Sequence, residues 1–170
     1  MDEANILAKF KLIKTFVFDM DGVLTDGSLI ILNDTEWLRK MDIKDGYAMH
    51  AAANNNYRMV VISGSTSNPS IKRLNHLGVK DVFMGVPDKK ILLQKYIVEN
   101  DLNPDEVLYM GDDIPDYGCM EIVGLPCCPA DAVNDIKQKV KYISPFNGGH
   151  GCVRDVIEKV LKLNGNWEIG

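Results

Sequence analysis

The run Phe16-Val17-Phe18-Asp19-Met20-Asp21-Gly22 constrains this chain more than any other stretch, because it sets two carboxylates directly behind three large apolar residues. Phe16, Val17 and Phe18, preceded by Leu12 and Ile13, have the continuous apolar character of a short strand buried on both faces, as in a parallel sheet. A buried strand cannot hold two carboxylates without a large desolvation cost, so they belong at its very end, where a glycine turns the chain. Parallel sheets bind ligands outside the carboxyl ends of their strands. Asp19 and Asp21 are therefore expected to serve a site.

Three further segments repeat the pattern. Met59-Val60-Val61-Ile62 leads into Ser63-Gly64-Ser65, and Val107-Leu108-Tyr109-Met110 leads into Gly111-Asp112-Asp113-Ile114-Pro115-Asp116. Between them, Asp81-Val82-Phe83-Met84-Gly85 leads to Lys89 at the start of a helical stretch. Helices are expected over 45–53, 68–78, 87–100, 113–123, 131–140 and 152–163. In the last, Val153, Val156, Ile157, Val160 and Leu161 form an apolar stripe suited to core packing. Residues 27–32 and 36–42, flanking the turn-like Asn33-Asp34-Thr35, read as a projecting β-hairpin. Strands alternating with helices predict an α/β fold with a mostly parallel sheet, organised as one domain over 1–170.

Composition adds exclusions. With 170 residues and a formal charge of −5, the chain lacks the broad basic surface of a non-specific nucleic-acid binder. No apolar run approaches the roughly 20 residues of a membrane span. The four cysteines, Cys119, Cys127, Cys128 and Cys152, have no zinc-like spacing and read as free thiols. A cytoplasmic protein that binds neither nucleic acid nor membrane is expected.

In this order the four segments resemble the motifs of the haloacid dehalogenase superfamily, mostly Mg²⁺-dependent phosphohydrolases with a Rossmann-like sheet. Members with a separate cap domain insert it between the first and second motifs or between the third and fourth. Here those intervals leave room only for the hairpin and one helix, or for one helix and a strand. The resemblance therefore implies a capless enzyme, open unless a neighbouring subunit covers its site.

Phosphate monoesters hydrolyse extremely slowly unaided, so a phosphatase must supply a nucleophile, a proton donor and neutralisation of the phosphoryl oxygens. Asp19 is the expected nucleophile and Asp21, on the same face of an extended strand, the acid and base. Carboxylates of Asp19, Asp112 and Asp113 crowded at one edge would repel by about 4 kcal/mol per pair at ~4 Å and an effective dielectric near ~20. That repulsion could raise a carboxylate pKa by about three units. A hard divalent cation resolves the conflict, and oxygen ligands with a phosphate suit Mg²⁺. Its expected ligands are the Asp19 carboxylate, the Asp21 backbone carbonyl and Asp112. Asp113 and Asp116 are expected to act through water or by orienting Lys89. Ser63, the Gly64 N–H and Lys89, with Gly22, are the expected phosphate-binding set.

The resemblance narrows further. Thr25-Asp26-Gly27, the hairpin, Asp42-Ile43-Lys44-Asp45-Gly46-Tyr47, Gly85-Val86-Pro87-Asp88-Lys89, Gly111-Asp112-Asp113 and Gly148-Gly149-His150-Gly151-Cys152-Val153-Arg154 resemble the 3-deoxy-D-manno-octulosonate (KDO) 8-phosphate phosphatase family. That family implies a capless homotetramer, built partly by the hairpins, that dephosphorylates an eight-carbon keto sugar acid during lipopolysaccharide synthesis. By position it implies substrate contacts at Asp42, Lys44, Asp45, Gly46, His50, Ser65 and Arg73. If the segment from Gly148 onward covers a neighbour's site, deleting it should weaken catalysis or product release. This chain has His50, Ser65 and His150 where arginine is common in the family. Two alternatives follow: a phosphatase of nine-carbon keto-deoxy sugar acid 9-phosphates, or a non-catalytic oligomerisation module. A signalling receiver domain fits less well, since receivers place the acidic pair and the phosphoacceptor on different strands.

Overall fold

The computed structural model describes residues 3–34 and 37–167. Helix α1 (Glu3–Leu12) precedes the central strand β1 (Thr15–Phe18), so Leu12 ends a helix rather than opening the strand, as the sequence had suggested. Strands β4 (Arg58–Ile62), β5 (Asp81–Phe83), β6 (Val107–Met110), β7 (Leu125–Cys128) and β8 (Tyr142–Ile143) complete a six-stranded sheet in the order β5-β4-β1-β6-β7-β8, with every pairing parallel. The chain leaves β1 for β4 on one side and later reaches β6 on the other. The carboxyl end of β1 thus opens onto the crevice where such sheets bind ligands.

Side-chain alternation along β1 divides the core. Phe16 and Phe18 face helices α2 (Ile43–Asn54) and α7 (Cys152–Leu163), together with Leu74 of α3 (Asn68–His76). Val17 faces the opposite layer, with Leu93, Tyr96 and Ile97 of α4 (Lys89–Glu99), Cys119 and Met120 of the short α5 (Tyr117–Met120), and Ile136 of α6 (Asn134–Lys139). Period-2 alternation on a strand covered on both faces leaves no polar position, which explains the uninterrupted apolar run. The stripe Val153, Val156, Ile157, Val160 and Leu161 of α7 is fully buried, as its spacing predicted.

The hairpin is present but short: β2 (Ile30–Ile31) pairs antiparallel with β3 (Trp37–Leu38), and Thr25 bridges Met41 at its foot. Thr35 and Glu36, part of the expected turn and second flank, lie outside the described residues. Among the described residues, only the turn Met20–Leu24, this hairpin and α2 separate β1 from β4, and a single helical turn (Pro104–Glu106) separates α4 from β6. No cap domain occupies either interval.

One expectation is corrected. The helix predicted over 113–123 is instead a tight turn at Ile114–Asp116 followed by the four-residue α5. Asp116 is drawn inward and fully buried, which breaks the regular helical face. The segment from Gly148 onward is held against the turn after β1 and leads into the core helix that its apolar stripe predicted. The Gly149 N–H donates to the Val23 carbonyl, and Cys152–Leu163 is core helix α7. Beyond it, Trp167 folds back edge-on to Tyr47, with the Arg154 guanidinium against both rings. Among the described residues no helix is long and apolar enough to cross a membrane.

Candidate active site

The residues from four separate segments meet at the carboxyl end of β1. Asp19 is the first residue past the strand, buried to 7% exposure, and its N–H donates to the Met110 carbonyl of β6. The chain then turns through Met20–Leu24, closed by the Thr25 N–H donating to the Met20 carbonyl. Gly22 has φ +89°, and a Cβ there would lie 2.1 Å from Asp112 Oδ2. Only glycine satisfies both the left-handed backbone and the closeness of Asp112.

Lys89, the first residue of α4, is 6% exposed and forms 2.7 Å ion pairs with Asp19 Oδ1 and Asp116 Oδ1. Asp116 is saturated. Its Oδ1 also accepts from the Tyr109 hydroxyl at 2.6 Å, and its Oδ2 from the Asp112 and Asp113 N–H groups. It therefore orients Lys89, one of the two roles expected for it. Asp113 caps the next turn through the Ile114 N–H and is exposed. Its charge also lies near enough to raise the Asp112 carboxyl. The sequence reading missed Tyr109; a tyrosine in a fully buried strand needs a partner for its hydroxyl, and that was the available signal.

Burial, then the charge of Asp116, pushes the Asp19 carboxyl up to about 7, against the opposing pull of Lys89. Burial and the charge of Asp19 likewise push Asp112 up to about 7. Burial pulls Lys89 down, but the charges of Asp116 and Asp19 outweigh it and leave its pKa raised, so it stays cationic. The protein alone thus holds the proton on Asp19 far more tightly than on an ordinary carboxylate. Asp19, Asp112 and Asp116 can bring one oxygen each within 4.8 Å of one another. Asp112 Oδ1 is buried with no hydrogen-bond partner. With Asp116 committed elsewhere, this unpaired oxygen and Asp19 fit a hard divalent cation, which would satisfy the one and ionise the other.

Ser63, at the end of β4, is 1% exposed and shares a 2.9 Å hydroxyl contact with Ser65. Gly64 beside it is exposed. Ser65 Oγ donates to Asp21 Oδ2 at 2.8 Å, so it serves Asp21 and not only the expected substrate. The Asp21 carboxylate is also gripped by Arg39, a residue the sequence reading did not single out.

The residues expected to touch the sugar divide. Lys44, His50 and Arg73 are exposed, and Asp42 caps α2 through the Lys44 N–H. Asp42 and Lys44 line a cavity of about 550 Å³ with Phe146, His150 and Arg154, whose lining includes none of Asp19, Asp21, Ser63, Lys89 or Asp112. Asp45 and Gly46 are buried. Asp45 accepts from the Arg154 N–H at 2.7 Å and the Gly151 N–H at 3.3 Å, so it caps α7, whose own cap residue is a glycine without a side chain. A Cβ at Gly46 would lie 2.9 Å from Arg73 Nη2, so Gly46 makes room for the arginine.

Burial raises Asp45 from 3.8 to about 6. The folded state thus holds its proton more tightly than the unfolded chain, and the stability from this group grows as pH falls from about 6 toward 4. Asp45→Asn keeps one acceptor oxygen and leaves one of the two buried N–H groups unpaired, so it should cost about 1 kcal/mol, a penalty that widens on acidification in chemical denaturation while KM stays unchanged.

No family model matches the chain. The 3-deoxy-D-manno-octulosonate 8-phosphate phosphatase KdsC of Escherichia coli K12 is 31% identical over 165 residues, which cover 97% of this chain and 88% of that protein. The chain belongs to the KDO 8-phosphate phosphatase family. Two solved family structures match its fold. The Yersinia pestis enzyme superposes with a TM-score of 0.92 at 28% identity, over 95% of this chain and 88% of that one. The Moraxella catarrhalis KDO 8-phosphate phosphatase, solved with magnesium, phosphate and KDO, has a TM-score of 0.93 at 27% identity, over 97% and 95%.

Proposed function

We propose that this chain is a Mg²⁺-dependent phosphatase that hydrolyses KDO 8-phosphate to KDO and phosphate through an aspartyl-phosphate on Asp19, in lipopolysaccharide synthesis. The observation that carries this reading is the buried Asp19–Lys89 pair facing an Asp112 oxygen that nothing else satisfies. Asp19, the Asp21 backbone carbonyl and Asp112 would hold Mg²⁺. When bound, the ion neutralises the phosphoryl oxygens and keeps Asp19 ionised.

The Asp19 carboxylate attacks phosphorus, and the bond to the sugar oxygen breaks. Asp21 delivers a proton to that oxygen, then takes one from the water that cleaves the aspartyl-phosphate. Lys89 offsets charge on the transferring group, and Ser63 with the Gly64 and Gly22 backbones positions it. Lys44, His50 and Arg73 supply donors for the acidic sugar.

The chain is proposed to act in the cytoplasm as a homotetramer, without nucleic-acid or membrane partners. The hairpin supports assembly, since Ile30, Ile31, Leu32 and Trp37 are each more than half exposed. A solution mass of four chains is expected by light scattering.

Phosphate release decides the reading. Purified protein with KDO 8-phosphate should liberate phosphate with Mg²⁺ and stop on chelation; no release in Mg²⁺ would favour the non-catalytic module.

A further inference from the structure

We infer that Arg39 is a positioning residue for Asp21, which holds the acid and base of the proposed reaction in its working orientation; the inference rests on that reading. Arg39 directly follows β3 at the foot of the hairpin. Its side chain is only 5% exposed, although the strands beside it are open to solvent. Arg39 Nε donates to Asp21 Oδ1 at 2.7 Å and Nη2 to Oδ2 at 3.2 Å. A two-point fork engages both oxygens and fixes the plane of the carboxylate, which a single donor or a lysine cannot do.

Two other segments complete the grip. Ser65 Oγ, from the loop after β4, donates to Oδ2 at 2.8 Å, and Thr25 Oγ1, within the same turn as Asp21, donates to Oδ1 at 3.3 Å. Such a frame is needed, because the Asp21 side chain is 32% exposed and packing alone does not lock it. Proton transfer to a leaving oxygen requires hydrogen-bond geometry in the transition state, so a carboxylate free to rotate would lose rate rather than binding. Arg39 differs in this from Lys89, whose ion pairs are with Asp19 and Asp116. Through Arg39, the hairpin outside the sheet is fastened to the reacting centre.

The test compares kcat/KM across aryl phosphates of increasing leaving-group basicity, in Mg²⁺. For the most basic leaving group, Arg39→Gln should lower kcat/KM by about ten- to a hundred-fold, through kcat and with KM unchanged. For p-nitrophenyl phosphate, whose leaving group needs no proton, the loss should be several-fold smaller. Arg39→Lys, which keeps the charge and one bond, should recover part of the rate. In an Asp21→Ala background, Arg39→Gln should cost nothing further, because the two residues act as one unit. Equal losses across the series, a raised KM, or a full additional loss in the Asp21→Ala background would overturn the inference. A wild-type protein inactive on every phosphate would instead refute the phosphatase reading.

Discussion

Asp19→Asn should lower phosphate release by at least about a thousand-fold and leave the protein at least as stable as before. The amide keeps the shape of the carboxylate but cannot attack phosphorus or take up the phosphoryl group. Stability moves the other way because the native carboxylate is held against burial and the Asp116 charge, which together push it up to about 7. Removing that charge relieves more repulsion than it forfeits, and Lys89 retains its pair with Asp116. Phosphate release with thermal unfolding in the absence of Mg²⁺ checks both halves. A variant that turns over normally would refute the nucleophile assignment, and one that unfolds would make Asp19 structural.

The second large effect concerns the cation. Asp112→Asn should raise the Mg²⁺ needed for half-maximal rate by at least about a hundred-fold, and Gly22→Ala should do the same with every ligand side chain intact. In the first, a ligand charge is lost at the buried oxygen that lacks a partner. In the second, a Cβ at φ +89° would sit 2.1 Å from Asp112 Oδ2 and force the carboxylate aside. Mg²⁺ binds the folded chain, so it should raise the wild-type thermal midpoint and shift neither variant at the same concentration. Full Mg²⁺ stabilisation of both variants would place the ion elsewhere.

What was legible in the sequence was whatever strand-end chemistry forces. Asp19, Ser63, Lys89 and Asp112 follow apolar runs or glycine turns, and buried strands admit polar groups only at their ends, so spacing alone brought them together. Asp45 and Gly46 were misjudged for the opposite reason: Asp45 is engaged by α7, more than 100 residues away, and Gly46 lies against Arg73 of α3. Local patterning cannot show that a carboxylate on one helix caps another. Arg39 carried no signal either, since a cation beside an exposed hairpin reads as solvated until its fork onto Asp21 is seen. Helix α1 was hidden because Leu12 and Ile13 merge with the apolar run of β1. The two-residue β8 was too short to leave a pattern.

In the proposed reaction Asp19, Lys89 and Asp112 would act on the phosphoryl group that every candidate substrate shares, so they do not choose the sugar. Discrimination falls to the outer donors, and among them Ser65 is already engaged with Asp21. The most direct measurement is kcat/KM in Mg²⁺ for KDO 8-phosphate beside a nine-carbon keto-deoxy sugar acid 9-phosphate. KDO 8-phosphate should give the higher value; a clearly higher value for the nine-carbon substrate would overturn the proposed substrate.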